Sequence, residues 1–149
     1  GITFDSGGLN IKPSGSMRLM KKDMGGSAAV LALAYWMEKS AIKQPCDFYL
    51  ALAENSISSS SFSPGDVLLS RKGLEIEVHN TDAEGRLALA DAMDVAITQK
   101  GKDQPCLLVD VATLTGAIKV GLGSKIGGLF SNDKLLIKKL LKSGNAVGD

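Results

Sequence analysis

The heptapeptide NTDAEGR at residues 80–86 crowds three charged side chains into five positions. Asp82 and Glu84 are separated by one residue, and Arg86 follows after one more. Neighbouring carboxylates repel each other unless a cation or a proton lies between them. Because an apolar run follows at residues 87–90, we expect this pair to lie at the edge of a buried core, where charge is poorly solvated. A divalent metal ion is the simplest way to hold both carboxylates there.

Two more acidic residues occupy comparable positions. Asp5 follows a strand-like run, and Asp23 precedes a long helical segment. In open α/β sheets, residues at such junctions line the crevice where ligands bind, so the four carboxylates are expected to converge. An all-carboxylate set favours hard or borderline cations. The one histidine, His79, is more simply a structural residue than a ligand.

Each acidic residue also has an ordinary structural explanation. Asp23 could cap a helix, and Asp82 could do the same with Glu84 favoured in the first turn. Asp5 could belong to a plain turn at residues 5–8. Taken singly, these explanations are the simpler ones. Capping does not require the whole heptapeptide, however, so the metal interpretation is preferred for the set.

The elements that would position these residues alternate along the chain. Helical patterns cover residues 25–40, 84–99 and 133–142. Strand-like patterns cover residues 1–4, 47–53, 67–69, 74–78 and 106–112, with two further short strands expected before residue 130. This alternation predicts a layered α/β domain with a mostly parallel sheet.

Composition narrows the function classes. The 149 residues are 44% hydrophobic and 22% charged, as in ordinary globular proteins, and the net charge of +1 gives no footprint for nucleic acid. The apolar runs are too short to span a membrane. Two cysteines and the lack of a signal pattern favour the cytoplasm. A chain that starts at Gly1 within a strand-like run is expected to be a single domain, the truncated core of a longer protein.

The extended motif NTDAEGRLALADA at residues 80–92 resembles the signature of the leucyl (cytosol) aminopeptidase family. Similar blocks follow the family's order: FDSGG at 4–8, IKP at 11–13, KDMGG at 22–26, AEN at 53–55, PGDV at 64–67 and ATLTGA at 112–117. The resemblance extends to about Asp133. It implies part of a catalytic domain with a three-layer sandwich, in which a mixed, mostly parallel sheet is flanked by helices.

The resemblance also implies roles for the charged residues. Asp5 and Glu84 would bridge two divalent ions, and Asp23 and Asp82 would each bind one of them. The ions would be zinc, manganese or magnesium. Among the cationic side chains, Lys12 would polarise the scissile carbonyl and Arg86 would hold a bicarbonate ion.

Further implied residues contact the peptide substrate. Met20, Thr113 and Gly116 would line the pocket for the first side chain, and Leu114 would offer its carbonyl. The family's reaction is release of N-terminal amino acids, with a leucine-type preference, by a homohexamer. Because the family's lysine ligand would lie one residue before Gly1, we expect this chain alone to bind metal weakly and to be nearly inactive.

Two alternatives remain open at this point. Another two-metal hydrolase acting on phosphate esters would need the same carboxylates together with phosphate-binding groups, of which Arg86 is the main candidate. The other is a non-catalytic, DNA-binding role of the longer protein, although the near-neutral charge argues against nucleic acid as a partner of this chain.

Overall fold

Two short parallel strands bring the first acidic residue to a sheet edge. Strand β1 is Ile2–Asp5 and strand β2 is Ala53–Asn55. Ile2 lies opposite Ala53 and Asp5 opposite Asn55, with an irregularity in register between the two pairs. Because parallel strands end at the same edge, the side chains of Asp5 and Asn55 are neighbours where the loops begin.

The helices largely follow the predicted pattern. They are α1 (Ser14–Met17), α2 (Gly25–Lys39), α3 (Gly85–Ile97), α4 (Ala117–Leu122) and α5 (Lys134–Val147). Short 3-10 turns lie at Met20–Lys22, Thr81–Ala83 and Gly101–Asp103. The predicted helices at 25–40, 84–99 and 133–142 are therefore confirmed, the last one extending to Val147.

An antiparallel hairpin leads into the acidic heptapeptide. It consists of β3 (Val67–Leu69) and β4 (Glu75–Glu77), which confirms the two short strands expected there. The turn of the hairpin is tied to α3, because the backbone N–H of Arg71 donates to the Asp91 carboxylate at 3.0 Å and its guanidinium pairs with Asp94. The strand that precedes the motif is thus fixed against the helix that follows it.

Three predicted strand segments differ from the structure. The run at 47–53 is irregular until β2 begins at Ala53, residues 106–112 form no strand, and the segment before residue 130 contains helix α4. A strand needs a neighbour to pair its backbone groups. No backbone hydrogen bond is made by residues 106–112, so their apolar pattern does not produce a strand in this chain.

The computed structural model describes residues 1–149 and divides them into two units, 1–114 and 115–149. Both sheets and helices α1 to α3 belong to the first unit, and α4 and α5 to the second. Ile2, Val78 and Ala96 are the buried apolar residues, whereas large side chains such as Trp36 are exposed. No helix is both long enough and apolar enough to cross a membrane. The α/β fold class is confirmed.

Candidate metal centre

Asp5 ends β1 with its carboxylate buried and held on one side. Only 3% of the residue is exposed. Its Oδ1 accepts hydrogen bonds from the backbone N–H of Gly7 and from Asn55 Nδ2, each at 2.9 Å. The turn that supplies the first bond depends on Gly7, whose φ of +88° favours glycine. Oδ2 faces Lys12 Nζ at 2.9 Å.

Asp82 and Glu84 enter the site from the short turn before α3. Asn80 precedes the turn, and its side-chain oxygen accepts from the backbone N–H of Asp82 at 2.8 Å. The turn ends at Glu84, which is 9% exposed. Thr81 in the same turn is fully buried, so the turn is anchored from within.

These three carboxylates converge. One oxygen from each of Asp5, Asp82 and Glu84 lies within 4.8 Å of the others. They come from two segments far apart in sequence, the end of β1 and the start of α3. Such a spacing of oxygen atoms suits a divalent cation, whereas three unneutralised charges this close would repel one another.

Lys12 supplies the positive charge nearest to the cluster. Its Nζ lies 2.9 Å from Asp5 Oδ2 and 2.5 Å from Asp82 Oδ1. Desolvation would lower the pKa of Lys12, but its hydrogen bonds with Asp82 and Asp5 and their charges outweigh that effect and raise it. The side chain is therefore a firmly protonated ammonium beside the carboxylates.

Burial and neighbouring carboxylates make ionisation of Glu84 unfavourable. Its pKa rises from 4.5 to about 7, first because of desolvation and then because of the charges of Asp5, Asp23 and Asp82. A hydrogen bond with the backbone acts in the opposite direction without overcoming them. A proton on Glu84 near neutral pH occupies a place that a metal cation could take.

Asp23 follows the turn at Met20–Lys22 and lies outside the three-carboxylate group. Its Oδ1 accepts from Thr113 Oγ1 at 2.9 Å, and its backbone carbonyl accepts from the N–H of Ile2 at 3.0 Å. Desolvation raises the pKa of Asp23, the Thr113 hydrogen bond lowers it, and the charge of Asp5 raises it further. The charge of Asp5 in the cluster therefore acts on the ionisation of Asp23.

The remaining predicted site residues lie outside the three-carboxylate cluster. Arg86 is exposed at the start of α3 and makes no ion pair. Met20 is half-buried in its turn, and Thr113 contacts Asp23 as described. The Leu114 side chain lies beside Gly85, where an added Cβ would come within 3.3 Å. Gly116 belongs to the second unit.

Two buried polar residues that link parts of the site were not predicted. Asn55 donates to two of the acidic side chains, at 2.9 Å to Asp5 and 3.0 Å to Glu84. The Thr81 hydroxyl donates to the carbonyl of Gly7 at 2.6 Å and accepts from the N–H of Asn10 at 2.8 Å. These bonds join the loop after β1 to the turn before α3. Both Asn55 and Thr81 fall within conspicuous sequence blocks, which was the available signal.

The donor set suits a divalent metal. Asp82 Oδ1 is buried, and its one close partner is the Lys12 ammonium at 2.5 Å. Buried carboxylates are costly unless cations compensate them, and this single ammonium is shared by Asp5 and Asp82 in a cluster of three carboxylates. Oxygen-only ligation by carboxylates fits manganese, magnesium or zinc. Asp5, Asp82 and Glu84 are thus the residues best placed to hold an ion.

The sequence of the chain matches a known protein family. The sequence profile of the cytosol aminopeptidase family, catalytic domain, matches residues 1–149. Probable cytosol aminopeptidases from Phytoplasma mali and Xanthobacter autotrophicus are 46% and 45% identical to the chain over 149 residues. The chain spans 29% of the length of each.

Solved structures agree with the sequence comparison. The leucyl aminopeptidase from Leishmania major, in complex with actinonin, has a TM-score of 0.86 and 38% identity, covering 97% of this chain and 28% of its own. The bottromycin maturation enzyme BotP, in complex with Mn, has a TM-score of 0.88 and 37% identity, covering all of this chain and 32% of its own. The resemblance seen in the sequence motifs is therefore confirmed, and the chain belongs to the cytosol aminopeptidase family, within that family's catalytic domain.

Proposed function

We propose that the protein of which this chain forms part is a two-metal aminopeptidase that releases N-terminal amino acids, with a leucine-type preference. The convergence of Asp5, Asp82 and Glu84 beside Lys12 carries this proposal. Family membership supports the reaction class, since cytosol and leucyl aminopeptidases are the chain's relatives. The 149 residues would then be a core portion of a single catalytic domain.

The four acidic residues would be the metal ligands. Asp5 and Glu84 would each contact both ions, whereas Asp23 and Asp82 would each contact one. Divalent ions bound there would lower the pKa of a water molecule and hold it for attack on the peptide carbonyl. The oxygen-only ligands and the Mn named with BotP favour manganese, with zinc and magnesium as further candidates.

Lys12 is the proposed electrostatic catalyst. Its ammonium lies at the edge of the cluster, held by Asp5 and Asp82. A cation in that position stabilises negative charge that develops on the substrate carbonyl oxygen in the transition state. Because the charge is absent from the bound substrate, the stabilisation raises turnover more than it strengthens binding.

Other residues would bind the substrate and a small anion. Arg86, exposed at the start of α3, would hold bicarbonate close to the reacting groups. Met20, Thr113 and Gly116 would line the pocket for the N-terminal side chain, with the Leu114 carbonyl accepting a hydrogen bond from the peptide. The Thr113 hydroxyl already contacts the Asp23 carboxylate, which supports its place near the metal ligands.

The wider biology follows the family. The relatives' name, cytosol aminopeptidase, supports peptide turnover in the cytoplasm. A homohexamer is the proposed assembly of the full-length protein. Peptides are the proposed substrates. The name of the Leishmania relative, leucyl aminopeptidase, supports this substrate class.

Manganese binding tests the proposal at its base. We expect the full-length protein to bind Mn²⁺ in calorimetry, and Asp82→Asn or Glu84→Gln to weaken that binding. The matched controls are Asp103→Asn and Glu38→Gln, which change exposed carboxylates outside the cluster. Unchanged binding in both cluster variants would show that the metal lies elsewhere.

Activity must be measured on the full-length protein. We expect it to release leucine from a leucyl anilide in the presence of Mn²⁺ and to leave a nitrophenyl phosphate intact. Glu84→Gln should abolish the release while Glu38→Gln retains it. Phosphate release without leucine release would replace the aminopeptidase proposal with a phosphoesterase.

A further inference from the structure

Asn55 is an uncharged residue that contacts two of the three clustered carboxylates. It ends β2 directly opposite Asp5 and is 5% exposed. Its Nδ2 lies 2.9 Å from Asp5 Oδ1, 3.0 Å from Glu84 Oε2 and 3.0 Å from the carbonyl oxygen of Thr81. The amide has two N–H groups, so the three acceptors share them. One side chain therefore joins β1, β2 and the turn before α3.

These bonds distinguish the two oxygens of each carboxylate. Asp5 Oδ1 accepts from both Asn55 and Gly7, which uses both of its lone pairs. Oδ2 accepts no such bond, and the Lys12 ammonium lies 2.9 Å from it. In Glu84, Oε2 accepts one bond from Asn55 and keeps a free lone pair, while Oε1 makes no hydrogen bond with another side chain.

We propose that Asn55 is a positioning residue for the metal centre, which sets the orientation of Asp5 and Glu84 so that Asp5 Oδ2 and both oxygens of Glu84 are open to cations. The inference rests on the proposed metal-dependent function and adds a residue that is not itself a ligand. Hydrogen-bonded neighbours of this kind orient metal ligands, and their loss typically lowers metal affinity about 10–100-fold.

The side-chain type is suited to this task. An asparagine amide donates to two carboxylates without adding charge. An aspartate of the same shape would have no N–H to donate and would add a further negative charge to the cluster. The backbone of Asn55 contributes too, since its carbonyl accepts from the N–H of Ser6 at 3.0 Å and from the Ser6 hydroxyl at 2.7 Å. Asn55 is thus fixed at both ends.

The first experiment compares Mn²⁺ affinity in three forms of the full-length protein: unmodified, Asn55→Ala and Asn132→Ala. The control removes an exposed asparagine from the second unit. Affinity is measured from the electron paramagnetic resonance signal of free Mn²⁺, at a temperature where circular dichroism shows each form folded. We expect binding about 10–100-fold weaker in Asn55→Ala and unchanged in the control. A role in folding alone would lower the unfolding temperature without changing the affinity of the folded form.

The second experiment uses the unmodified full-length protein and does not depend on the variant folding. In ¹⁵N NMR, the Asn55 side-chain amide should exchange with solvent more slowly than that of Asn132. Adding Zn²⁺ should shift the Asn55 amide resonances and leave those of Asn132 in place.

The outcomes separate the two proposals. Weaker Mn²⁺ binding by Asn55→Ala, with a protected and Zn²⁺-sensitive amide, supports the positioning role. Equal binding by the unmodified full-length protein and Asn55→Ala overturns that role and leaves the metal-dependent function standing. A rapidly exchanging Asn55 amide also overturns it. Failure of the unmodified full-length protein to bind either metal overturns both.

Discussion

Glu84 should make the metal-free chain less stable as the pH rises through neutrality. The residue is almost fully buried among other acidic groups, and its pKa is raised to about 7. Replacing it by glutamine keeps the size and the hydrogen-bonding oxygen of the side chain but removes the titration. The Glu84→Gln variant should therefore be less sensitive to pH than the unmodified chain.

The size and sign of the effect follow from proton linkage. The unfolded chain loses the Glu84 proton near the ordinary pKa of 4.5, whereas the folded chain keeps it until about pH 7. Between these values the folded state binds more protons, so stability falls as pH rises, and the loss is complete above pH 7. At about 1.4 kcal/mol per pKa unit, the ionised residue costs the folded chain about 3 kcal/mol.

Urea unfolding in EDTA, followed by circular dichroism, measures this effect. The free energy of unfolding of Glu84→Gln, minus that of the unmodified chain, should grow from near zero at pH 4.5 to about 3 kcal/mol at pH 8. The raised pKa of Asp23 adds a slope of the same sign, but it is present in both forms and cancels in the difference. Glu38→Gln, at an exposed position, should follow the unmodified chain.

Parallel stability curves for Glu84→Gln and the unmodified chain from pH 4.5 to 8 would refute the reasoning, because they would show that Glu84 ionises normally in the folded state. Saturating Mn²⁺ offers an internal check. If the ion binds at Glu84, it should remove the pH-dependent difference between pH 7 and 8, since a bound cation stabilises the ionised carboxylate.

Two further predictions concern Lys12 and Gly26. In the full-length protein, Lys12→Met should lower kcat about 10²–10³-fold with little change in KM, because the ammonium acts on charge in the transition state; Lys43→Met, at an exposed site, should leave steady-state kinetics unchanged. Gly26→Ala would place a Cβ 2.0 Å from the carbonyl oxygen of Val111. Thermal unfolding should therefore show that the free energy of unfolding falls by about 1–3 kcal/mol or more. Gly15→Ala, with no atom within 4 Å of its new Cβ, should show no loss.

The helices could be predicted because their hydrogen bonds are local. Helices α2, α3 and α5 each occur where the sequence pattern placed them. An apolar strand pattern, in contrast, shows what a segment could bury but not which segment lies beside it. Leu107, Val109 and Val111 fit a strand covered on both faces, yet they are exposed and their segment makes no backbone hydrogen bond.

The same distinction applies to the candidate site. Asp82 and Glu84 are conspicuous in sequence because two nearby carboxylates before an apolar run need an explanation, and the structure brings Asp5 to them. Asn55 has no charge, and its relation to Asp5 exists only because β1 and β2 pair in a particular register. Local charge repulsion therefore identifies the acidic side chains, whereas the residue that joins them across the sheet becomes visible only when the strands are paired.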